Sequence, residues 1–220
     1  MNTHIRRMCR HTLFVLLVLA LSAVLFACAK PQQGPPLPEV NIGIAGFEQP
    51  KTPLDMLAGY APENSPEIPR KVMTQLDETL INVLTLGTSR TYVTGERYLQ
   101  CRNAKAPGQT RSRVAALHHW SAVGMCMKVD VLLVPHLFKF QEREGSEAGI
   151  TRPAGVTMDI FLIDVKNKQL VSRSHFDETQ QALADNLLNS GKFFSRGAKW
   201  LTGVQLAREG MGKAIKDLGL

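Results

Sequence analysis

The sequence lacks the short motifs that mark the common nucleotide-binding and hydrolytic folds. It contains no G-x-x-x-x-G-K-[ST] loop, no G-x-G-x-x-G turn and no G-x-S-x-G elbow, so none of these site types is supported. Aromatic residues make up only 6% of the chain, and no run of five like charges occurs. Without a basic cluster, nucleic acid is not an expected partner.

Only one long uncharged apolar run is present, from Thr12 to Ala27, and it has 16 residues. A membrane-spanning helix needs about 20 such residues. Three arginines and no acidic residue precede the run, which is the arrangement of an export signal. We therefore predict that residues 1–27 are a signal peptide, with an uncleaved N-terminal anchor as the alternative.

The end of the apolar run, Leu25-Phe26-Ala27-Cys28, does not fit a plain secretory cleavage site, because Phe26 interrupts the A-x-A pattern. It resembles the bacterial lipobox, in which an aliphatic residue and a small residue precede a cysteine. That resemblance implies cleavage after Ala27 and acylation of Cys28 on its sulfur and its new amino group. Two or three acyl chains anchor a protein stably, whereas one chain binds only marginally.

Residues 28–38, CAKPQQGPPLP, are rich in proline, which predicts a semi-extended tether. Ala29 follows the cysteine where lipoproteins of the inner membrane usually carry Asp. By that analogy the expected location is the outer membrane, facing the periplasm, with the bilayer as the first partner. Beyond residue 27 the chain has 23 basic and 19 acidic residues, a net charge of +4.

Residues 39–220 are long enough for a single periplasmic domain with a substantial core. The order of elements predicts an α/β sandwich (α+β): a mixed sheet covered by helices, a three-stranded meander in the second half and a C-terminal amphipathic helix. Pro135 lies inside a predicted strand and indicates a bulge or a sheet edge there. Strands are predicted at 39–47, 91–99, 129–145, 154–165 and 169–179, and helices from Ser65-Pro66-Glu67 to Gly87, over 110–125, over 183–189 and after a capping box at Thr202–Gln205.

Cys101 and Cys126 are the cysteines that remain beyond the lipobox. In an oxidising compartment they predict a disulfide, and two buried thiols are the other interpretation. His118, His119 and Cys126 suggest a metal-binding or enzymatic alternative, because thiolate and imidazole are metal ligands. Adjacent histidines on a helix point about 100° apart, however, so the spacing argues against a shared metal. We predict no metal and no cofactor.

Carboxylates and hydroxyls in the predicted strands do not form a recognisable catalytic set. Asp159 and Asp164 are five residues apart and so face opposite sides of one strand. The segment from Ser172 to Asp177 holds the residue types of a triad, but triads are assembled from distant segments. Trp200, with two nearby phenylalanines, is interpreted as a small core or as an anchor for a partner.

Residues 122–178 carry a recognisable order of elements, AVGMCMKVDVLLVPHLFKF followed by VTMDIFLIDVKNKQLVSRSHF. This resembles the periplasmic domain shared by the TolB N-terminal region, the curli-secretion lipoprotein CsgG and the penicillin-binding-protein activator LpoB. Lys168 and Gln169 stand where that family usually has glycine. Pro135 occupies a second position at which those proteins often have glycine. The resemblance covers about residues 40–180 and implies a non-enzymatic envelope component that docks on a partner.

The segment FKFQEREGSEAG predicts the surface that contacts such a partner. Phe138 and Phe140 are expected on one face of a protruding hairpin, with Glu142 and Arg143 beyond them, as an edge for strand addition. A solvated hairpin is the other interpretation. The prediction as a whole is a membrane-anchored, non-catalytic lipoprotein that binds an envelope protein, and self-association into a homo-oligomer is a third option.

Overall fold

The structure, a computed structural model, describes residues 36–52, 55–59, 66–104, 113–181 and 190–220. The predicted helix at 183–189 lies outside these ranges. The elements follow in chain order as β1 (Ile42–Ile44), α1 (Arg70–Gly87), β2 (Tyr92–Val93), α2 (Glu96–Ala104), α3 (Arg113–Met127), β3 (Val131–Gln141), β4 (Glu144–Gly145), β5 (Ile150–Arg152), β6 (Gly155–Asp164), β7 (Gln169–Thr179), α4 (Ser190–Ser195) and α5 (Gly203–Asp217).

Five strands form one mixed sheet in the order β2-β1-β3-β6-β7. β1 pairs in parallel with β2 and with β3, because α1 carries the chain back between β1 and β2. β3, β6 and β7 form an antiparallel meander, while β4 and β5 form a separate small hairpin. The predicted fold class, including the meander, is confirmed.

Two helices cover one face of the sheet. Leu76, Leu80 and Leu84 recur every four residues along α1 and are at most 1% exposed, and they pack with α5 against strand residues such as Leu133 and Ile160. Burying a leucine side chain fully stabilises a fold by roughly 1.5–3 kcal/mol. The predicted apolar stripe of the C-terminal helix contributes Ala207, Met211, Ile215 and Leu218 to this core.

Two further helices, α2 and α3, cover the opposite face of the sheet. Trp120, Val123 and Met127 of α3 pack there against Val134 and Phe161 of the sheet. The helix approaches the sheet closely at Gly124, where an added Cβ would lie 2.4 Å from a methyl carbon of Val165. Helices on both faces therefore bury the central strands from either side.

Pro135 is neither at a bulge of its own strand nor at the edge of the sheet. β3 is the central strand, and it pairs through Pro135 with Ile160. The amides of Val131 and Leu137 donate toward the β1 side, so the missing donor of Pro135 also faces that side. There β1 has already ended at Ile44, and pairing resumes only at the Glu48–His136 bridge. The proline is tolerated because the ladder with β1 is interrupted at this position, so no ladder bond from residue 135 is required.

Three local predictions are wrong in their boundaries. The strand predicted at 39–47 is extended only over Ile42–Ile44. Residues 91–99 were expected to be a strand, but only Tyr92–Val93 is extended, and a helix begins at Glu96 after Gly95 takes a φ of 68°. The first long helix was expected to begin near Ser65-Pro66-Glu67, yet it begins at Arg70 with Pro69 as its N-cap. The residue before a proline disfavours the helical conformation, so the helix cannot extend back past Pro69.

The start of the C-terminal helix is as predicted. Thr202 caps α5 by accepting a hydrogen bond from the Gln205 amide, and the Gln205 side chain accepts one from the Thr202 amide. Reciprocal bonds of this kind satisfy two amides that the helix itself leaves unpaired. The cap is a strictly local feature, and four consecutive residues suffice to specify it.

Asp77 of α1 reaches the end of β1, where its carboxylate accepts a hydrogen bond from the Phe47 amide at 2.6 Å. Burial raises the pKa of Asp77 from 3.8 to about 6, helped by the nearby carboxylates of Glu48 and Glu78 and opposed by the bond from Phe47. The folded protein therefore binds this proton more tightly than the unfolded chain. Stability falls as the pH rises through this interval.

Replacing Asp77 with Asn keeps an oxygen for the Phe47 amide and removes the ionisation. We expect Asp77→Asn to raise the free energy of unfolding at pH 7 by about 1–2 kcal/mol, after allowance for solvent screening, and to change it little near pH 4. Urea unfolding at the two pH values measures the difference. Glu67→Gln, at an exposed position before the same helix, is the control. An equal effect of Asp77→Asn at both pH values would contradict the assignment.

Candidate functional site

The sheet has two ends with different roles in the molecule. At one end, here called the proximal end, residues 36–41 join the domain: the Leu37 amide donates to the Gly219 carbonyl at 3.0 Å, and the Arg90 guanidinium donates to the Pro38 carbonyl at 2.7 Å. β3 begins at this end and runs for 11 residues. At about 3.3 Å per residue it spans roughly 36 Å. The β4–β5 hairpin therefore lies at the opposite end, here called the distal end.

The predicted aromatic base of the hairpin does not lie on one face. The pairing of β3 with β6 shifts register between Leu137 and Lys139, so Phe138 is an extra residue and the alternation of faces changes there. Phe138 is 3% exposed and meets the ring of His136 edge-on. Phe140 packs with the α1–α5 core and lies close to Gly203. Phe138 is buried and Phe140 is half-buried against a different core, so the two rings do not form the expected paired aromatic surface.

Glu142 and Arg143 bind other parts of the chain. The Glu142 carboxylate accepts a hydrogen bond from the Gly203 amide at the start of α5 at 2.8 Å, and the Arg143 guanidinium donates to the Trp200 carbonyl. The Trp200 amide in turn donates to the Glu147 carbonyl at 2.9 Å. These bonds fix the hairpin tip against residues 200–203. Its outermost residues, 146–149, are exposed.

The aromatic residues near Trp200 differ in their environments. Trp200 itself is partly buried, which agrees with its interpretation as part of a small core. Phe194 of α4 is 63% exposed. The side chain of Phe193 lies outside what the structure describes. Among the described aromatic side chains near Trp200, Phe194 is thus the one exposed to solvent.

A row of polar side chains lies on the face of the sheet that α3 covers. His136, Asp159 and His175 stand opposite one another on β3, β6 and β7. Asp159 is fully buried, and its Oδ1 lies 2.7 Å from Nδ1 of His175. Arg173 donates to the same oxygen at 3.1 Å and places Nη2 2.8 Å from Oδ2 as an ion pair. Sequence reasoning considered Asp159 and His175 separately and missed both His136 and Arg173.

His136 is the neutral member of this row. It is 2% exposed, and burial lowers its pKa to about 3, so the imidazole is uncharged at neutral pH. The rings of Phe161 and Trp120 lie 5.1 and 6.4 Å away. Its Nδ1 has no hydrogen-bond partner. A signal for such a residue was present in the sequence, because a histidine inside an apolar strand must be either paired or neutral.

The Asp159–His175 pair has the geometry by which a carboxylate orients an imidazole base. A nucleophile would be needed beside it, but Ser174 lies on the other face of the sheet and donates to Asp217 at 2.6 Å. In the part of the chain that the structure describes, no hydroxyl or thiol bonds to His175. The geometry of the described residues therefore supports a structural role for the buried carboxylate, with Arg173 as its ion-pair partner and His175 as a hydrogen-bond partner.

Cys101 and Cys126 form a disulfide in the structure, with 5.6 Å between their Cα atoms. The bond joins α2 to the end of α3, and it removes Cys126 from the ligands that a metal could use as a thiolate. His118 is exposed, whereas His119 meets the Trp120 ring at 5.2 Å. Within the described ranges, His, Cys, Asp and Glu side chains nowhere gather in threes around a metal-sized site.

Cys28, the predicted lipidation residue, lies outside the described residues, as does the whole of the predicted signal peptide. None of the helices in the described ranges is long and apolar enough to cross a bilayer.

No family model matches this chain, and no curated protein has a similar sequence. Its fold is similar to that of PelC, a dodecamer from Paraburkholderia phytofirmans, at 12% identity and a TM-score of 0.47, over 86% of this chain and 94% of that chain. The C-terminal domain of LpoB from Salmonella enterica is 11% identical with a TM-score of 0.37, over 72% of this chain and 92% of that one. A lipoprotein from Neisseria meningitidis is 11% identical with a TM-score of 0.35, over 73% and 99% of the two chains. These likenesses assign no function, and the resemblance to TolB and CsgG stays a prediction.

Proposed function

We propose that this chain is a lipid-anchored component of a bacterial cell envelope that binds a protein partner and catalyses no reaction. In this proposal residues 1–27 are removed, Cys28 is acylated, and the domain faces the periplasm from the outer membrane. The lipobox-like Leu25-Phe26-Ala27-Cys28 supports the anchor, since two or more acyl chains hold a protein at a membrane.

The observation that carries the proposal is the separation of the two ends of the sheet. The chain enters the domain at Leu37, which is bonded to Gly219. Residues 28–36 alone are left to bridge from the anchor to the domain. A proline-rich segment of this length extends about 28 Å at 3.1 Å per residue. The distal end is therefore the part of the domain farthest from the point of attachment.

The distal end also has the character of a prepared protein-binding surface. Several of its cations are held by neighbouring carboxylates: Lys199 by Glu147, Arg152 by Glu144, and Arg196 by Glu178 and Glu209. A surface already fixed by its own contacts loses less conformational freedom on binding. Exposed Phe194 adds an aromatic residue, a type enriched at protein interfaces.

Site-specific photocrosslinking in cells tests this proposal. A photoreactive residue at exposed Ala148, in the hairpin tip, is expected to yield an adduct with one envelope protein. The matched position is Leu86, which is 83% exposed at the proximal end and is expected to yield no such adduct. The same Ala148 probe in a Cys28→Ala chain should lose the adduct while the domain stays folded, because the unanchored domain is no longer held near its partner.

Three outcomes would contradict the proposal. Adducts from Leu86 but not from Ala148 would place the partner at the wrong end. Adducts that contain only this chain would favour a homo-oligomer with a purely structural role. An Ala148 adduct of equal yield in the Cys28→Ala chain would show that anchoring is not needed for binding.

A further inference from the structure

We infer that the proximal end of the domain is a binding face for anionic phospholipid headgroups, so that the domain rests on the bilayer surface beside its anchor. This inference rests on the proposed function only in that the anchor at Cys28 brings the face to a membrane. It assigns a second, protein-borne contact with the lipid, and with it a defined orientation of the distal end.

Four separate segments meet at the proximal end. They are the last turn of α1, the turn between α3 and β3, the turn between β6 and β7, and the last turn of α5. Backbone hydrogen bonds link the last three of these segments through residues 37–41: the Leu37 amide donates to Gly219, the Asp130 amide to Asn41, and the Val165 amide to Asp130. The end of α1 packs on α5, since a Cβ added at Gly87 would lie 3.7 Å from Ile215. The end is therefore one surface, although its residues come from positions 37 to 219 of the chain.

Four of the six exposed lysines that lack a side-chain partner among the described residues lie at this surface, and the other two are Lys51 and Lys71. Lys128, Lys166, Lys168 and Lys216 are exposed there, and the structure gives none of their side chains a hydrogen bond or an ion pair. At the distal end, by contrast, Lys192 and Lys199 are each bonded to a glutamate. The positive charge of the proximal end is thus available to an external anion.

Three acids at the proximal end accept hydrogen bonds, and one of them, Asp217, is also paired with a cation. Asp130 accepts the Asn41 amide at 3.0 Å, and Asp164 accepts both the amide and the side chain of Asn167 at 2.8 Å. Asp217 is paired with Lys213 and Ser174. These bonds favour the carboxylate form, and they hold the pKa of Asp164 and of Asp217 below its ordinary value against the effect of burial. Asp130 and Asp164 keep their negative charge, because their donors are neutral. Together with Glu39 they oppose the four lysines and Arg90, so five cations face three carboxylates and the end keeps a positive charge.

An apolar side chain is exposed at the same end of the domain. Leu86, in the last turn of α1, is 83% exposed, more than the other large apolar side chains of the described ranges. Apolar side chains combined with lysines are typical of surfaces that lie on a membrane, where the leucine enters the headgroup region and the cations contact the phosphates. Flexible, hydrated lysines are in contrast depleted at protein interfaces.

The position of the face identifies the bilayer as its ligand. The segment that leads to the predicted anchor, residues 28–36, leaves the domain at this end. Its length keeps the face within about 28 Å of the acylated residue. An anionic lipid surface therefore lies within reach of the unpaired lysines whenever the protein is anchored.

Vesicle co-sedimentation tests the inference without the anchor and without any protein partner. The protein is the mature chain from residue 28 with Cys28→Ala, which contains both hydrophobic cores. We expect it to bind vesicles of phosphatidylcholine with phosphatidylglycerol, to bind phosphatidylcholine alone far more weakly, and to dissociate as salt is raised. The triple variant Lys128→Gln, Lys166→Gln, Lys168→Gln should bind about a hundredfold more weakly, at about fivefold per lysine.

The matched control is Lys192→Gln with Lys199→Gln, which removes lysines at the distal end and should leave vesicle binding unchanged. Leu86→Ser should also weaken vesicle binding, and this loss should be the same at low and at high salt. Equal binding to both kinds of vesicle, or equal losses in the proximal and distal variants, would overturn the inference.

The two proposals can fail independently. An Ala148 adduct in cells together with no vesicle binding would leave the proposed function standing and reject the lipid-binding face. Vesicle binding without any adduct would do the reverse.

Discussion

Replacing Asp159 with Ala is expected to lower the free energy of unfolding by about 3–5 kcal/mol. The carboxylate is fully buried, and Arg173 and His175 are held against it at 2.8 and 2.7 Å. Its removal leaves the guanidinium beside the Phe161 ring without a counter-charge and leaves a void between β3 and β7. Small domains are stable by only about 5–15 kcal/mol in total, so the loss is large. Urea unfolding at neutral pH measures it.

One further variant at this position and one control variant elsewhere on the sheet separate charge from contact. Asp159→Asn keeps an acceptor oxygen and the side-chain volume but drops the charge, so its cost should be intermediate. Asp177→Ala, on β7, removes an exposed carboxylate that accepts one hydrogen bond from Thr157 at 2.8 Å. It should cost about 1 kcal/mol. If Asp177→Ala and Asp159→Ala were equally destabilising, the buried row would have no special role in stability.

Removing the disulfide is expected to lower the free energy of unfolding by a similar amount. Cys101 and Cys126 are separated by 25 residues. Closing a loop of that length reduces the entropy of the unfolded chain by an amount worth about 3.5 kcal/mol at 25 °C. The double variant Cys101→Ala, Cys126→Ala should therefore unfold at a lower urea concentration than the parent protein.

Reduction of the parent protein is the matched control, since it breaks the bond and keeps both sulfur atoms. We expect the reduced parent to lose nearly as much stability as the double variant, with a small difference because Cys101 is packed in the core at 4% exposure. The double variant should not respond to the reductant. A parent protein whose unfolding midpoint is the same with and without reductant would contradict the prediction.

The elements with strong local patterns were predictable from the sequence. The i, i+4 leucines of α1, the apolar runs of β3 and β6, and the Thr202–Gln205 cap each depend on residues within a few positions of one another. Boundaries failed where a single residue overrides the pattern. Gly95 ends the extended segment after Val93, and Pro69 delays the start of α1.

The side-chain site was only partly predictable, for a different reason. The hairpin was correctly predicted to follow β3. One extra residue between Leu137 and Lys139, however, puts Phe138 and Phe140 on opposite faces of the sheet. No periodicity marks such a bulge in advance. Asp159, His136 and Arg173 likewise meet only through the pairing register of three strands.

What the sequence by itself determined about this protein is what neighbouring residues encode: the apolar and turn patterns that specify a mixed sheet with a meander, the capped C-terminal helix, and the lipobox pattern on which the prediction at Cys28 rests. The tertiary structure decided which charges are paired. Asp159 and its partners lie 14 and 16 residues apart, and the lysines of the proximal end come from three different segments. Pairing energy depends on distance in space and on burial, and neither quantity can be read from spacing along the chain.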